Sequence, residues 1–361
     1  MSDSLSIDGS HGEGGGQVLR TALSLAAITG RKVCIQKIRA GRKNSGLAAQ
    51  HLTAVRAAAS ICGAQVRGDK IGSQELTFAP SGPPRAGNYV FDIAEAREGG
   101  SAGSATLLLQ TLLLPLVFAE GESTLVLRGG THVAWSPPFD YACDVWLPAL
   151  SRMGVKAEME LVKWGWYPAG GGEIRARIQG IGLPEKVRLA PLTLIEGGRL
   201  TRVRGRTVAA NLPSHIPQRM ADRARSLLRE FGVETRIEPL RVRAVCPGAG
   251  IFLAADRENV SAGFSALGRR GLSSEAVAEE AVGALRAYCD SGAAADSHLG
   301  DQLLLPMALA GGESTFTVER VTRHLTTNAW VVEQFSIAEV MLDKNRAEPR
   351  KVNVQAKHIG A

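Results

Sequence analysis

The sequence predicts an α/β layered protein: units of the form β-α-β-α-β-β that repeat along the chain, with a smaller α/β segment inserted among them. Two observations carry this. "PLVFAEGEST" (115–124) returns as "PMALAGGEST" (306–315). Each copy follows a leucine-rich helix pattern carrying a glutamine, Gln110 or Gln302, and leads into an alternating strand pattern. Self-similarity of this kind marks a repeated structural unit. The order helix, glycine, strand also recurs, in "VRAAASICGAQVRG" (55–68), "LPALSRMGVKAEME" (147–160) and "SLLREFGVETRIE" (226–238). Glycine stops a helix because it enters the left-handed conformation without a Cβ penalty. Helices alternating with strands specify layered α/β packing.

Along the chain, "GGGQVLRTALSLAAITGRKVCIQKIRAGR" (14–42) predicts helix, glycine turn, strand and basic loop, a looser copy of the same unit. "ATLLLQTLLLPLVFA" (105–119) is the most apolar stretch, but Gln110 and Pro115 interrupt it. It is too short to cross a bilayer and reads as a buried helix. "TLVLRGGTHV" and "TFTVERVTRHL" are strands followed closely by His132 and His324. Between the copies, "GLPEKVRLAPLTLIEGGRLTRVRGRTV" and a helix near 217–231 form a separate α/β segment. Glycine, proline and serine junctions bound it at 184–292. The expected organisation is a main domain of residues 1–183 and 293–345, the insertion, and a tail of 346–361.

The chain has 361 residues, more than one compact core usually organises. Hydrophobic content of 45% and charged content of 21% are those of a soluble globular protein. The net charge of +7 fits a phosphate-rich partner and equally a plain basic surface. Five scattered cysteines with no C-x-x-C pair (Cys34, Cys62, Cys143, Cys246, Cys289) exclude a disulfide scaffold and a cysteine zinc site. They fit a reduced intracellular setting. The opening "MSDSLSIDGS" has no apolar signal core.

Several stretches could carry chemistry. "DGSHGEGGGQVLR" (8–20) sets glycines before a helix, where backbone N–H groups and the helix dipole attract an anion. Glu13 is out of place in an anion site unless it holds a divalent metal, and Arg20 follows one helical turn into the helix. A structural glycine turn explains the stretch equally. "IRAGRKNSGLAAQHLTAVR" (38–56) gathers Arg39, Arg42 and Lys43 before a helix bearing Gln50 and His51, either a phosphate cradle or a solvated loop. "REGGSAGSATLLLQ" (97–110) is a second glycine-serine entry to a helix. "ADSHLGDQLLLP" (295–306) sets His298 and Asp301 at a helix start, where capping is the simpler role. "WGWYPAGGGEI" (164–174) places three aromatics before a glycine triplet, for base stacking or turn packing. His324, a lone histidine near a strand end, reads locally as no nucleophile.

Taken together and in order, "DGSHGEGGGQVLRTALSLAAITG", "IRAGR…GLAAQHLTAV", "GSAGSATLLLQT", "YPAGGG", "DQLLLPMALAGG" and "HLTTN" resemble the RNA 3′-terminal phosphate cyclases. The match runs from residue 8 to about 335 and is weak over the insertion. The resemblance implies repeated β-α-β-α-β-β units, as in the enolpyruvyl transferases, with a smaller inserted domain. It implies a three-step reaction: a histidine takes AMP from ATP and releases pyrophosphate, AMP moves to an RNA 3′-phosphate, and the neighbouring 2′-OH expels AMP to leave a 2′,3′-cyclic phosphate. By the same resemblance His324 is the nucleophile and Glu13 the carboxylate for a divalent metal, Mg or Mn. Arg20, Arg39, Arg42, Gln50 and His51 contact phosphates. Gln110 and the run His298, Leu299, Gly300, Asp301 and Gln302 contact ATP. The implied partners are ATP and RNA 3′-phosphate ends, without a membrane, in the cytoplasm, with the oligomeric state left open, a homodimer included.

Two residues depart from the family pattern: His11 in the first glycine loop, and Ser45 where many relatives carry proline. A cyclase-like branch of the family acts in ribosome assembly without this chemistry; the presence of His324, Glu13, Arg20, Arg39 and Arg42 favours the enzyme. An enolpyruvyl transferase would share architecture alone, and fold does not specify function.

Overall fold

The structure is a computed structural model that describes residues 4–97, 100–343 and 349–357. The first unit comprises β1 (Leu5–Asp8), α1 (Gly16–Thr29), β2 (Val33–Gln36), α2 (Ala49–Cys62), β3 (Gln65–Arg67) and β4 (Leu76–Ala79). The second comprises β5 (Asn88–Asp92), α3 (Ala105–Val117), β6 (Glu122–Gly129), α4 (Phe139–Tyr141), a π turn over Ala142–Trp146, α5 (Leu147–Ser151), β7 (Lys156–Lys163) and β8 (Gly172–Gln179). The third opens with β9 (Thr193–Leu194). The insertion then supplies β10 (Leu200–Ala210), α6 (His215–Leu228), β11 (Glu234–Val242), β12 (Gly248–Arg257), β13 (Ser261–Leu267) and α7 (Ser274–Ser291). The unit resumes with α8 (Ser297–Ala308), β14 (Glu313–Val318), α9 (Arg323–Gln334), β15 (Ala338–Leu342) and β16 (Arg350–Ala356).

All three units share one sheet order: β1-β2-β4-β3, β5-β6-β8-β7 and β9-β14-β16-β15. In each, the first two strands pair in parallel and the last two are antiparallel. The parallel pair requires a helical crossover, which is why a helix sits between the first and second strands. The expected helix stops are present: Gly30 and Gly63 close α1 and α2 at φ 68° and 61°. The apolar stretch 105–119 forms α3, capped by Ser104, whose hydroxyl accepts from Leu107 N at 3.2 Å. Leu108, Leu109, Leu112 and Leu113 of α3 are at most 1% exposed, so this helix is core. Helix α1 packs against α2, α3 and α9, and α9 against α8. This layer brings the N-terminal ends of helices from different units together.

Three expectations are corrected. The insertion interrupts the third unit after its first strand, because residues 193–194 pair with β14; it does not begin at 184. Leu189, Leu192 and Leu194 accordingly belong to the main core, whereas Val203, Met220, Leu253, Leu285 and Tyr288 form the insertion's own core. The segment 346–361 is not simply a tail: residues 350–356 form β16, between β14 and β15. His324 does not sit at a strand exit. It is the second residue of α9, started by Thr322, whose hydroxyl accepts from Leu325 N at 2.9 Å. The polar "RHLTTN" run supplies a helix entry that the strand pattern before it masked.

Four arginines at the start of the insertion are committed to ion pairs. Arg199 meets Glu258 at 2.9 Å and Arg202 meets Asp256 at 2.7 Å. Arg204 and Arg206 reach across to Asp144 and Asp140 of the second unit at 2.9 and 3.0 Å, and so fasten the insertion to the body. An apolar cluster of Trp166, Val208 and Ala210 reinforces that contact.

Candidate active site

The glycine loop before α1 folds onto the start of α9. Glu13 N donates to Thr327 Oγ1 at 3.1 Å, and a side chain at Gly12 (φ 65°) would strike that hydroxyl. The Glu13 side chain is only 6% exposed. One oxygen, Oε2, is ion-paired with Arg42. The other, Oε1, accepts from Gln17 N at 3.3 Å and lies 3.8 Å from His324 Nδ1. A carboxylate in that position can orient an imidazole and stabilise positive charge on it.

Behind Glu13, burial draws the Arg20 guanidinium down to about 10, with Glu13 opposing. His51 is 5% exposed. Its Nδ1 accepts from Ala48 N at 3.3 Å, which leaves the proton on Nε2. Burial, then Arg39, Arg20 and Arg42, push its pKa down to about 3, so it is a neutral donor at physiological pH. The absence of a side chain at Gly16 makes this possible, since a Cβ there would stand 2.5 Å from His51 Nε2 and 3.0 Å from Arg20 Nη1. Arg39, at φ 54°, donates to Gly46 O at 2.8 Å, and burial and Arg42 lower its pKa.

On the opposite wall, the His324 side chain is 45% exposed, while its Nδ1 is enclosed and lacks a hydrogen-bond partner. Burial lowers its pKa; Glu13 opposes this, and Arg20, Arg42 and His298 reinforce it. The ring is therefore held neutral. A proton on Nδ1, toward Glu13, leaves the Nε2 lone pair free. Asp301 accepts from the Thr322 hydroxyl that caps α9. Asn328 donates to Asp301 O at 2.8 Å and accepts from Thr21 Oγ1 and Gln17 Nε2 at 2.7 and 2.9 Å. This polar chain fixes α1, α8 and α9 relative to one another.

The remaining expected residues divide. Gln110 donates to Gln302 at 2.8 Å, so α3 and α8 meet through their glutamines. Gln50 accepts from Ser104 N at 3.0 Å and anchors the loop that enters α3. His298 is exposed at the start of α8 and meets Tyr141 edge-on. Leu299 and Gly300 face away from the cleft: Leu299 is fully buried, and a Cβ on Gly300 would stand 2.9 Å from Val318. The sequence reading missed Gln17, Thr21, Thr322, Asn328 and Asp296. Asp296 caps α8, accepting from His298 N and Leu299 N at 2.9 and 3.0 Å, and also accepts from the Tyr141 hydroxyl at 2.8 Å. An aspartate just ahead of a helix is a readable cap signal; the long-range partners of Asn328 are not.

Residues 11–342 match the protein family described as RNA 3′-terminal phosphate cyclase. The chain belongs to the RNA 3′-terminal phosphate cyclase family. It is 58% identical over 336 residues to an RNA 3′-terminal phosphate cyclase of Methylococcus capsulatus, covering 93% of this chain and 92% of that one. It is 52% identical to the protein of that name from Gloeothece citriformis, over 98% and 99% of the two chains. It is 43% identical to that of Salmonella agona over the full length of both.

Within this cyclase-family chain, the two departures have local roles. The His11 ring stacks on Trp330 of α9 at 4.0 Å, adding a second tie between the glycine loop and the helix of His324. Ser45 accepts from Gln74 at 3.2 Å. No group of three or more His, Cys, Asp or Glu is arranged for a metal among the described residues. The single carboxylate of Glu13 suits an ion whose other ligands are substrate phosphates and water. No helix among the described residues is long and apolar enough to cross a membrane.

Proposed function

We propose that this protein is an ATP-dependent RNA 3′-phosphate cyclase acting in the cytoplasm through a covalent histidine–AMP. The observation that carries the reading is His324: a neutral, half-exposed imidazole with Nδ1 turned to a buried carboxylate, opposite Arg20 and Arg42. Those features suit nucleophilic attack on a phosphorus better than proton shuttling. In the first step His324 Nε2 forms a bond to the α-phosphorus of ATP, and the bond from that phosphorus to the pyrophosphate oxygen breaks. The imidazolium that results is stabilised by Glu13. An oxygen of the RNA 3′-phosphate then displaces His324, taking AMP. The tethered 2′-OH attacks last, with little entropy to lose, and AMP leaves from the cyclic phosphate.

Arg20, Arg39 and Arg42 bind and orient phosphates, bidentately where both oxygens are open. His51 donates from Nε2 without adding charge. Gln110, Gln302, His298 and Asp301 line the nucleoside side. A divalent ion bound with the nucleotide would offset phosphate charge, and Glu13 is the residue that would hold it. The names of the relatives, over nearly the whole chain, support the substrate class.

The test is transfer of label from α-labelled ATP to the protein, read on a denaturing gel under non-acidic conditions. Wild type should give a labelled band and His324→Ala none. A wild type that stays unlabelled with Mg and with Mn, or a His324→Ala that labels normally, overturns the mechanism.

A further inference from the structure

Among the large apolar side chains left in water, Trp135 is the extreme, at 100% exposed, with Val245 at 68% and Tyr167 at 77%. Trp135 lies in the loop between β6 and α4 at φ 63°. Non-glycine residues adopt that conformation at a cost, so the loop is strained while it holds an indole wholly in solvent. Tyr167 opens the "YPAGGG" loop. The two loops run side by side, since His132 bridges to Trp166 in parallel, three residues before Trp135 and one before Tyr167. Val245, from the insertion, abuts the same glycine loop at Gly171.

Next to these loops is a cleft of about 200 Å³, lined by Ser101, Arg128, Lys163, Gly171 and Glu173 among others. Glu173 is ion-paired with Arg128 at 3.0 Å and Arg175 at 3.4 Å, and Lys163 is a third cation acting on it. Arg128, Arg175 and Lys163 thus gather about Glu173, and Arg128 and Lys163 line the cleft beside two carboxylates, Glu173 and Asp92. The wall of the cleft at Ser101 runs on into a loop held by Gln50. Gly103, two residues beyond Ser101, packs on the Gln50 side chain, and Ser104 N donates to Gln50. The Trp135 loop is tied to the same place, since Thr106 at the start of α3 donates to Pro137 O at 2.6 Å.

Resting on the cyclase reading above, we propose that Trp135, Tyr167 and the Arg128–Lys163 cleft form a track for the single-stranded RNA that leads to the 3′-phosphate. The aromatic faces stack on bases, and the cations hold a phosphodiester between them. Single-stranded RNA is recognised by this pairing of separate aromatic faces with nearby cations. A protein partner would call for a continuous apolar patch, which isolated rings beside a charged cleft do not make.

The experiment measures binding of a fluorescein-labelled ten-nucleotide RNA 3′-phosphate by anisotropy, with competition by a dinucleotide 3′-phosphate. Trp135→Ala and Tyr167→Ala should each weaken ten-mer binding on the order of tenfold, the scale of one lost base stack. Trp135→Phe should recover most of that loss. Lys163→Ala should flatten the salt dependence by about one phosphate contact. Dinucleotide affinity should not change. Melting temperatures report folding; if Trp135→Ala melts early, Tyr167→Ala and Trp135→Phe still decide. Unchanged ten-mer affinity in the Trp135→Ala/Tyr167→Ala double variant overturns the track. ATP labelling of the wild type is scored separately. A track without labelling sinks the cyclase mechanism alone, and labelling without a track sinks this proposal alone.

Discussion

Asp301 is the residue at which stability and function oppose each other most directly. It is 9% exposed, and burial, with Asp296 adding, pushes its carboxyl from 3.8 up to about 7 against the Thr322 hydroxyl and Arg320. The folded chain therefore keeps a proton between pH 3.8 and 7 that the unfolded chain has released. The stabilisation is fully present below 3.8 and is lost as pH rises through 7. A rise of about three pH units at 1.36 kcal/mol each puts that loss at about 4 kcal/mol above pH 8. Asp301→Asn is neutral at every pH and keeps the oxygen that accepts from Thr322. At pH 4 the variant should match wild type within about 1 kcal/mol. At pH 8.5 it should melt several degrees higher, approaching the full 4 kcal/mol. Cyclase turnover should fall even so, because a buried acid retained at this cost belongs to a working site. Thermal melts of both proteins from pH 4 to 9 provide the check. If the two melting curves keep a constant offset across that range, the carboxyl does not titrate as argued and the reasoning fails.

Other perturbations have equally definite expectations. Gly16→Ala should lower turnover at least tenfold while costing only about 1–3 kcal/mol of stability, because its Cβ would displace His51 and Arg20 rather than core side chains; steady-state rates and melts on one preparation separate the two. Asn328→Ala removes three hydrogen bonds between α1, α8 and α9, two of them buried, and should cost about 2–4 kcal/mol in urea unfolding; a loss below about 0.5 kcal/mol would sink the polar-chain account. His51 has a depressed folded pKa, about 3 against 6.5, so its contribution is present above 6.5 and is lost as pH falls toward 3. His51→Asn should accordingly flatten the acid side of the melting profile between pH 6.5 and 4, and an unchanged acid slope would show that another group carries it.

The repeats were legible because local chemistry fixes them: leucine-rich helices, glycine stops and alternating strands are short-range signals. The insertion's entry was misjudged because β9 is two residues long and has no periodicity to read; only its pairing with β14 reveals it. The final strand was missed for a related reason, since "RKVNVQA" alternates but has no sister segment with which to align. At the site, Glu13, Arg20, Arg42, His51 and His324 were singled out through the family resemblance, whose motifs are contiguous in sequence; the local pattern alone left His324 unmarked. Gln17, Thr21 and Asn328 were not, because their partners lie about 300 residues apart in the chain.

The threefold repeat also explains why His324 and not His132 is the reactive candidate. In the three units the second helix begins at α2, α4 and α9, and the second residue of each is Gln50, Asp140 and His324. Asp140, not His132, is therefore the counterpart of His324 in the second unit. His132 lies upstream, 5% exposed, between Trp164 and Trp166, with Nε2 2.7 Å from Asp140. That copy has turned its polar helix start inward, where Asp140 also receives Arg206 of the insertion. The first copy uses Gln50 to anchor the loop before α3 and leaves Glu13 and its arginines facing the third copy. The first helices retain a trace of the symmetry: Gln110 and Gln302 each stand sixth in their helix, and they bond to each other. One position has thus become a docking contact in the second copy, a loop anchor in the first and a free imidazole in the third. On the proposed reading, the reactive group is the copy whose neighbours leave it a carboxylate to face and solvent on its other side.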